Sequence, residues 1–345
     1  MTVCFFGNYL IDYPRVQVLR QGFLENNIKV IECHNRYRGF KKYWSLFSQH
    51  QTIKNQYDIL IVMMGGQTLV WFARLLSKKK IIFDAFTSLY LANVVDRQTC
   101  KPKSFKAKYF AWLDKWSCQL ADKVLLDTNA QIDYFIKNYN LDKDKFIRIF
   151  VGADNNIYFP DDVNPHDKFI IHWHGYIVPF YSLETVIRAA KILTGESSIR
   201  FKIVTRFNDK YKKIKILADS LKLNNVDFYP ETNYRGIAKF INQSDICLGI
   251  FGNNIKARVV IPNKIYEAIA CAKPVITARH KVISELFIDR DNIIMVEPEN
   301  AEDLAAKILE LKNDKQLRKK IADNCYQLYL NNLLPKEVVK ELILI

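Results

Sequence analysis

Short apolar runs alternate with segments of helical periodicity along most of this 345-residue chain. The predicted strands of the first half lie at residues 3–6, 29–32, 59–63, 81–83, 124–126 and 147–150. The predicted helices between them lie at residues 16–25, 68–77, 104–120 and 129–138. Strands that alternate with helices form right-handed βαβ units. The pattern therefore predicts an α/β fold with a parallel sheet covered by helices on both faces.

The alternation stops once, at residues 152–167, where prolines and acidic residues replace the apolar runs. Such a composition is typical of a linker. Predicted strands then resume at residues 169–173, 201–205, 226–229, 246–250 and 274–277. Predicted helices of the second half lie at residues 182–193, 210–221, 234–243, 263–271, 301–312 and 314–330.

We therefore predict two facing Rossmann-like domains with a cleft between them, which suits a chain long enough for two cores. The N-terminal domain is predicted to cover residues 1–160, with the linker at its end. The second domain is predicted to cover residues 161–330, followed by a C-terminal tail or helix over 331–345. In folds of this kind, ligands bind at the carboxyl ends of the strands.

The chain is strongly basic, with a net charge of +15. Residues 1–123 hold 19 Lys and Arg against 8 Asp and Glu, so most of the excess lies in the predicted N-terminal domain. This excess indicates an acidic partner: a phosphorylated substrate, an anionic lipid surface or a nucleic acid. The even spread of Leu, Ile, Val and Phe excludes a disordered chain.

Cysteine usage and the apolar segments predict a cytoplasmic protein. The seven cysteines have no short pair spacing, which argues against a zinc site or a disulfide framework and suits a reducing compartment. The chain opens on a predicted strand, without the basic region of a secretory signal. Residues 59–76 are apolar, but Gly65 and Gly66 interrupt them. We therefore predict a strand, a turn and a helix there, not a membrane span.

The segment at residues 256–278, KARVVIPNKIYEAIACAKPVITA, carries the most specific chemistry. Asn263 stands where a helix N-cap belongs, and the N–H groups of a helix N-terminus can hold a phosphate. Lys256, Arg258 and Lys264 add cations, and Glu267, about one turn into the helix, can accept hydrogen bonds from sugar hydroxyls. The residues alone also allow a solvated helix with a surface ion pair between Lys264 and Glu267.

The sequence IPNKIYEAIACAKPVIT resembles the donor-binding signature of the retaining glycosyltransferases of family 4. Other fragments of that family's pattern follow the same order along nearly the whole chain: Tyr13-Pro14-Arg15, Asp84-Ala85-Phe86, Leu126-Asp127-Thr128 and Leu248-Gly249-Ile250-Phe251-Gly252. The resemblance implies two Rossmann-like domains and transfer of a sugar from a nucleotide diphosphate with retention at the anomeric carbon. Because cations and helix amides can stabilise the leaving diphosphate, we expect no metal and no cofactor beyond the nucleotide-sugar.

The resemblance assigns donor-binding roles in the second domain. Glu267 would bind the ribose hydroxyls, and Asn263 and Lys264 would lie against the nucleotide and its phosphates. Phe228 and Tyr229, at the end of a predicted strand, match the region where such enzymes hold the base.

In the first domain, the resemblance points to Gly7 and Asp84. Gly7, in the turn after the first strand, would admit a close approach to the diphosphate. Asp84, at the end of a strand, matches a polar residue beside the transferred sugar and is the candidate catalytic residue. The alternative is a carboxylate that caps the following turn.

The sequence departs from the family pattern at two places. Many relatives have a second glutamate eight positions before the one matched by Glu267, and here that position is Val259. An Arg and a Lys usually follow the first strand of the donor domain, and residues 174–181 contain neither. Lys256 with Arg258, or Arg206, would then replace this cation pair. His174, just before a glycine, is expected to face the cleft, and His172 to be packed inside.

Lysines and aromatic residues are interleaved around the start of the helix predicted at 104–120. The aromatic residues Phe105, Tyr109, Trp112 and Trp116 recur at helical spacing and form one apolar face. This face fits either a core helix with a solvated basic start or contact with the headgroups of an anionic membrane. The lysines of this segment include Lys103, Lys106 and Lys108.

The resemblance adds that the first domain binds the acceptor, often a lipid-linked sugar. We therefore expect a cytoplasmic enzyme, peripheral on the inner face of the membrane, in polysaccharide or lipopolysaccharide synthesis. Three alternatives stay open: an epimerase or hydrolase acting on a nucleotide-sugar, a non-catalytic family member, and a basic nucleic-acid-binding protein. No nucleic-acid module is present, so no nucleic-acid partner is expected.

Overall fold

In the computed structural model, residues 1–161 and 167–344 are described, and they form two compact units. The N-terminal unit comprises Met1–Val151 and Leu334–Ile345, and the C-terminal unit comprises Gly152–Leu333. The division therefore comes before residue 160, the end of the predicted N-terminal domain. Part of the predicted linker, residues 162–166, lies outside the described residues.

The N-terminal unit is built on a parallel sheet of six strands in the order β2-β1-β3-β4-β5-β6. Its strands are β1 (Thr2–Gly7), β2 (Lys29–His34), β3 (Ile59–Val62), β4 (Lys80–Phe86), β5 (Lys123–Leu126) and β6 (Phe146–Arg148). The helices that connect them are α1 (Pro14–Glu25), α2 (Phe40–Ile53), α3 (Val70–Leu76), α4 (Phe105–Leu120) and α5 (Asn129–Tyr139). A π-helix, Leu91–Asp96, follows β4.

Successive side chains of a strand point to opposite faces of the sheet. Consecutive residues of a strand therefore pack into two separate cores, one on each face. Phe5 packs with helix α1, and Phe6 packs in the cluster that contains Leu46 of α2 and Cys118 of α4. Helices α2 and α4 therefore cover the same face of the sheet. The predicted strand, turn and helix at residues 59–76 are confirmed as β3 and α3.

The C-terminal unit repeats this architecture, with a parallel sheet in the order β12-β11-β10-β7-β8-β9. Its strands are β7 (Phe169–His174), β8 (Ile199–Thr205), β9 (Val226–Pro230), β10 (Ile246–Leu248), β11 (Val275–Ala278) and β12 (Ile294–Val296). Its helices are α6 (Leu183–Ile192), α7 (Asp209–Ser220), α8 (Tyr234–Asn242), α9 (Asn263–Ala270), α10 (Ala301–Asn313) and α11 (Lys315–Asn332).

The end of the chain returns to the N-terminal unit, where helices α12 (Pro335–Val338) and α13 (Lys340–Ile343) lie. Helix α12 packs so closely on α1 that a Cβ atom on Gly22 would come within 2.2 Å of the Pro335 carbonyl oxygen. The Asn26 side chain donates to the Lys336 carbonyl oxygen at 2.9 Å. The segment predicted as a tail or helix thus contains two short helices and is part of this unit.

A buried carboxylate ties helix α4 to the chain that follows β4. Asp114 accepts hydrogen bonds from Ser88 Oγ at 2.6 Å and from the backbone N–H groups of Leu89 and Tyr90. The Tyr139 hydroxyl donates a fourth hydrogen bond at 3.2 Å. Burial nevertheless raises the pKa of the Asp114 carboxyl to about 6, above its ordinary value of 3.8.

This raised pKa predicts a pH-dependent contribution to stability. Because the folded pKa lies above the unfolded one, the protonated carboxyl favours folding at low pH, and this contribution is lost as the pH rises through about 6. Asp114 should make the free energy of unfolding about 1 kcal/mol larger at pH 5 than at pH 7.5. Urea unfolding of wild type and Asp114→Asn at both pH values measures it. Equal pH differences in the two proteins would contradict the shift.

Candidate functional site

Helix α9 is buried along its length, since residues 264–270 are all inaccessible. The interpretation as a solvated helix with a surface ion pair is therefore wrong. The prediction of Asn263 as N-cap is also wrong: Asn263 is the first helical residue, half-buried, and Pro262 is the cap. The fixed φ of proline suits the extended cap conformation, and the Pro262 carbonyl accepts the Ile265 N–H at 3.0 Å. The cap residue Pro262 makes no side-chain hydrogen bond to the helix, so the N–H groups at the helix start are candidates to bind an anion.

Glu267 is the last member of a chain of side-chain hydrogen bonds that begins in strand β7. His174 Nε2 lies 2.8 Å from Glu267 Oε2, and His172 Nε2 lies 2.9 Å from His174 Nδ1. The His172 ring is buried and stacks on Phe240 of α8 at 5.8 Å. Burial holds the pKa of His172 well below its ordinary value. As predicted, His172 is packed inside. His174 contacts Glu267, and its predicted place at the cleft stays a prediction.

Lys264 carries a buried amine that lies against two aromatic rings. Its Nζ lies 3.9 Å from the centre of the Trp173 ring and 3.6 Å from that of Tyr181. The residue is 4% exposed, and its amine has no hydrogen-bond partner in the part of the chain that the structure describes. Burial lowers the pKa of Lys264 well below its ordinary value, although the charge of Glu267 opposes this shift. An unpaired buried amine is costly, which makes it a candidate anion ligand.

The backbone after β7 approaches the Lys264 amine closely. A Cβ atom on Gly175 would lie 3.2 Å from Lys264 Nζ, and the φ of Gly175 is +139°, which favours glycine. The Gly175 carbonyl accepts the Thr205 hydroxyl at 2.8 Å, which fixes this peptide. The carboxyl end of β7 and the start of α9 therefore meet at the amine.

The other predicted cations have partners of their own near the surface. Lys256 is half-buried, with Nζ 4.5 Å from the centre of the Phe180 ring. Arg258 is exposed and donates to Asn253 Oδ1 at 3.0 Å. Arg206 is exposed and donates from Nε to Glu231 Oε2 at 2.7 Å. Their roles in donor binding stay predictions, and Lys264 is the better placed cation.

Phe228 and Tyr229, predicted at the base, pack on opposite faces of edge strand β9. The Phe228 ring lies 5.4 Å from Tyr211, and the Tyr229 ring lies 4.9 Å from Phe240. An aromatic ring that the sequence reasoning missed, Tyr176, is half exposed just after β7. Its hydroxyl donates to Glu231 at 3.0 Å. Tyr176 lies just outside the strands, so the strand pattern of the sequence does not single it out among the aromatic residues of this region.

A second residue missed from the sequence, Tyr158, is buried in the C-terminal unit. Burial, together with the negative charge of Glu267, raises the pKa of the Tyr158 hydroxyl. Val259, at the position of the missing glutamate, is buried. It supplies no carboxylate to the site.

In the N-terminal unit, Asp84 lies in a closed ion pair. Its Oδ1 lies 2.8 Å from Arg15 Nη2, and Arg15 Nε donates to both carboxylate oxygens. Both side chains are fully buried, and Arg15 Nη1 donates to the Ile149 carbonyl at 2.7 Å. This geometry favours a structural role for Asp84 and leaves its catalytic role untested. Gly7 ends β1 with a φ of +145°, a conformation that favours glycine.

The aromatic face of helix α4 is largely exposed, so its interpretation as the core face of a helix is wrong. Phe105 is 88% exposed, and Tyr109 and Trp112 are exposed as well. Trp112 stacks on Trp116 at 4.9 Å. The helix instead buries Ala107, Leu113, Asp114, Ser117 and Cys118. Lys103, Lys106 and Lys108 are all exposed.

Helix α2, which the sequence pattern did not predict, exposes aromatic side chains on the same side of the sheet. Phe40 is 92% exposed and Trp44 is 74% exposed, with Lys41 beside them. We call Phe40, Trp44, Phe105, Tyr109, Trp112 and the lysines 103, 106 and 108 the aromatic–basic surface. Within the described ranges, no helix is both long enough and apolar enough to cross a bilayer. In the same residues, no group of three His, Cys, Asp or Glu is placed to hold a metal ion.

Residues 154–328, more than half of the chain, match the family model described as Glycosyl transferases group 1. The protein therefore belongs to this family, which confirms the predicted group, while the family 4 subtype stays a prediction. The Uncharacterized glycosyltransferase MJ1178 of Methanocaldococcus jannaschii is 26% identical over 231 residues. That alignment covers 64% of this chain and 57% of the relative, so the chain matches little more than half of the relative's length.

Two solved structures have the same fold. Anabaena Alr3699/HepE in complex with UDP gives a TM-score of 0.74 at 16% identity, over 99% of this chain and 98% of that one. Sucrose-phosphate synthase from Thermosynechococcus elongatus gives a TM-score of 0.76 at 12% identity, over 100% of this chain and 98% of that one. These likenesses confirm the predicted α/β class with two Rossmann-like domains.

Proposed function

We propose that the protein is a retaining glycosyltransferase that moves a sugar from a nucleotide diphosphate sugar to a saccharide or lipid-linked acceptor. The observation that carries this proposal is the buried Lys264 amine, which has no hydrogen bond within the described residues and lies one helical turn before Glu267. A cation and a carboxylate at the start of α9 match the two ends of a nucleotide: its phosphates and its ribose hydroxyls.

The proposed chemistry follows from this charge arrangement. Negative charge builds on the diphosphate as the bond to the sugar breaks, so a fixed cation stabilises the transition state more than the bound donor. The Lys264 amine and the N–H groups at the start of α9 would supply this positive charge. We propose that these groups act without a metal and without a cofactor, with the nucleotide-sugar as co-substrate.

The structural neighbours support a uridine nucleotide as the first to test. Anabaena Alr3699/HepE was crystallised with UDP-glucose, and its fold covers the whole of this chain. We propose that the C-terminal unit binds the donor, since it contains Lys264, Glu267 and the region matched by the family model. The N-terminal unit would then bind the acceptor.

A thermal-shift panel of UDP, GDP, ADP and CMP tests donor binding. One diphosphate should raise the Tm of the wild type, because a ligand at a hundredfold excess over its Kd adds about 2.7 kcal/mol of stability. Glu267→Ala should lose most of this shift. The control, Glu302→Ala, changes an exposed carboxylate of α10 and should keep it. No shift with any nucleotide would contradict the proposal.

We also propose that the enzyme is cytoplasmic and peripheral on the inner membrane face, in the synthesis of polysaccharide or lipopolysaccharide. The aromatic–basic surface supports this, because lysines attract anionic headgroups and aromatic rings favour the interface. These lysines and aromatic rings lie in the N-terminal unit, which carries most of the chain's excess of basic residues. A lipid-linked acceptor would be held at the same interface.

Vesicle binding is expected to depend on anionic lipid and to weaken as salt is added. Changing Lys103, Lys106 and Lys108 together to Glu should weaken binding to phosphatidylglycerol vesicles by about 100-fold or more. The matched control reverses the charge of exposed lysines of the C-terminal unit and should bind much better: Lys191, Lys210 and Lys213. Sedimentation with the vesicles measures both. Equal binding to neutral vesicles would contradict the proposal.

A further inference from the structure

The carboxylate of Glu267 is held by His174, and the proton positions of this contact follow from its geometry. A carboxylate only accepts hydrogen bonds, so His174 Nε2, 2.8 Å away, carries a proton. His174 Nδ1 lies 2.9 Å from His172 Nε2, so the two rings share a second hydrogen bond, whose donor depends on the tautomer of the rings. Two consecutive hydrogen bonds therefore join His172, His174 and Glu267.

The contact also keeps Glu267 away from its nearest cation. Lys264 precedes Glu267 by three residues on the same helix, and the two charges attract. The Lys264 amine nevertheless has no hydrogen bond to the carboxylate among the described residues: it lies over the Trp173 and Tyr181 rings, while Glu267 Oε2 is engaged with His174. Without the contact to His174, the Lys264 amine and the Glu267 carboxylate would pair with each other, and neither would be available to a ligand.

We propose that His174 is a positioning residue that holds Glu267 apart from Lys264, so that the carboxylate stays free for donor hydroxyls and the amine for donor phosphates. His172 holds the His174 ring from its other nitrogen. The inference rests on the proposed function, and it adds that a third residue, His174, keeps the two charged groups apart. The surroundings support a fixed His172 ring, which is buried and stacks on Phe240.

Calorimetric titration of the nucleotide identified by the thermal-shift panel tests this inference. His174→Phe removes the donor and should weaken nucleotide binding about tenfold, the effect of losing a hydrogen bond to a charged group. His174→Gln should bind within about twofold of the wild type, because its amide N–H donates to Glu267 and the amide offers a second polar atom to His172. A merely structural histidine would show no such rescue.

A double-mutant cycle separates positioning from direct contact. If His174 acts only through Glu267, the Glu267→Ala/His174→Phe double variant binds no more weakly than Glu267→Ala alone. In transfer assays, His174→Phe should raise the donor KM and leave kcat within about threefold of the wild type. The His172→Phe variant keeps His174, removes the hydrogen-bond partner of His174 Nδ1 and should show a smaller loss of nucleotide affinity. This variant serves as the test if His174→Phe does not fold.

The outcomes distinguish this inference from the proposed function. If the wild type binds no nucleotide, the proposed function fails, and the inference fails with it. If the wild type binds and Glu267→Ala does not, then unchanged affinity in His174→Phe overturns the inference alone. Additive losses in the double variant overturn it as well, because they would show that His174 contacts the nucleotide directly.

Discussion

Lys264→Met is expected to lower kcat/KM for sugar transfer by about 100- to 1000-fold, the cost of removing one preorganised group from a site of developing negative charge. The same change should keep or raise the Tm. Methionine fills the space between Trp173 and Tyr181 with a side chain of similar length, and it removes a buried amine that lacks a hydrogen bond to any described residue. A loss of activity with a gain in stability is the signature of a residue retained for function.

The pH dependence of donor binding provides a second readout of Lys264. Burial lowers the pKa of the free amine, and a bound diphosphate favours the charged form, so binding should take up a proton. Donor affinity should then fall as the pH rises above the pKa of the free amine, and this fall should be absent in Lys264→Met. Calorimetry in buffers of different ionisation enthalpy measures the uptake.

A neighbouring lysine provides the control. Lys273, half-buried just after α9, can be changed to methionine in the same segment and should leave transfer unaffected. If Lys264→Met keeps the donor KM and kcat of the wild type while its Tm rises, the buried amine serves no donor, and the account of the site is wrong.

Asp84→Asn is expected to lower the free energy of unfolding by about 3–5 kcal/mol, because it leaves the Arg15 guanidinium buried without its counter-charge. The same loss is expected for Arg15→Met, which leaves the carboxylate unpaired. The pair joins α1 to the end of β4, and the Arg15 contact with the Ile149 carbonyl reaches the chain after β6. Urea unfolding of each variant measures the effect.

The double variant Arg15→Met/Asp84→Leu controls for packing. It removes both charges and retains apolar volume, so it should be more stable than either single variant. A catalytic Asp84 would give a different result: Asp84→Asn would fold with nearly the stability of the wild type and lose transfer activity. That outcome would support the predicted role of Asp84 beside the transferred sugar.

Much of the fold was predictable because buried parallel strands read as short apolar runs. All six strands of the N-terminal unit were predicted within a few residues. Helix α2 was missed because it buries only Leu46 and His50, which leaves little helical periodicity among its aromatic and basic residues. Strand β12 was missed as well, although β6 and β10, which also have three residues each, were predicted.

The candidate site was predictable only in part, since a sequence motif identifies functional residues but not the residues that they contact in the fold. The segment around Glu267 marked helix α9 and its charges, but the link to His174 spans 93 positions of sequence. The pairing of Asp84 with Arg15 spans 69 positions, and neither residue type signals it. Exposure of the aromatic face of α4 was equally hidden, because helical spacing is the same for a core face and a docking face.

The central claim is sugar transfer with retention, and its most direct test is a product analysis with the nucleotide-sugar that the thermal-shift panel selects. NMR of the reaction with a saccharide or lipid-linked acceptor should show a glycoside with the anomeric configuration of the donor, formed by the wild type and scarcely by Lys264→Met. Inverted product would contradict retention. A donor that is epimerised or hydrolysed equally fast without acceptor would contradict transfer itself.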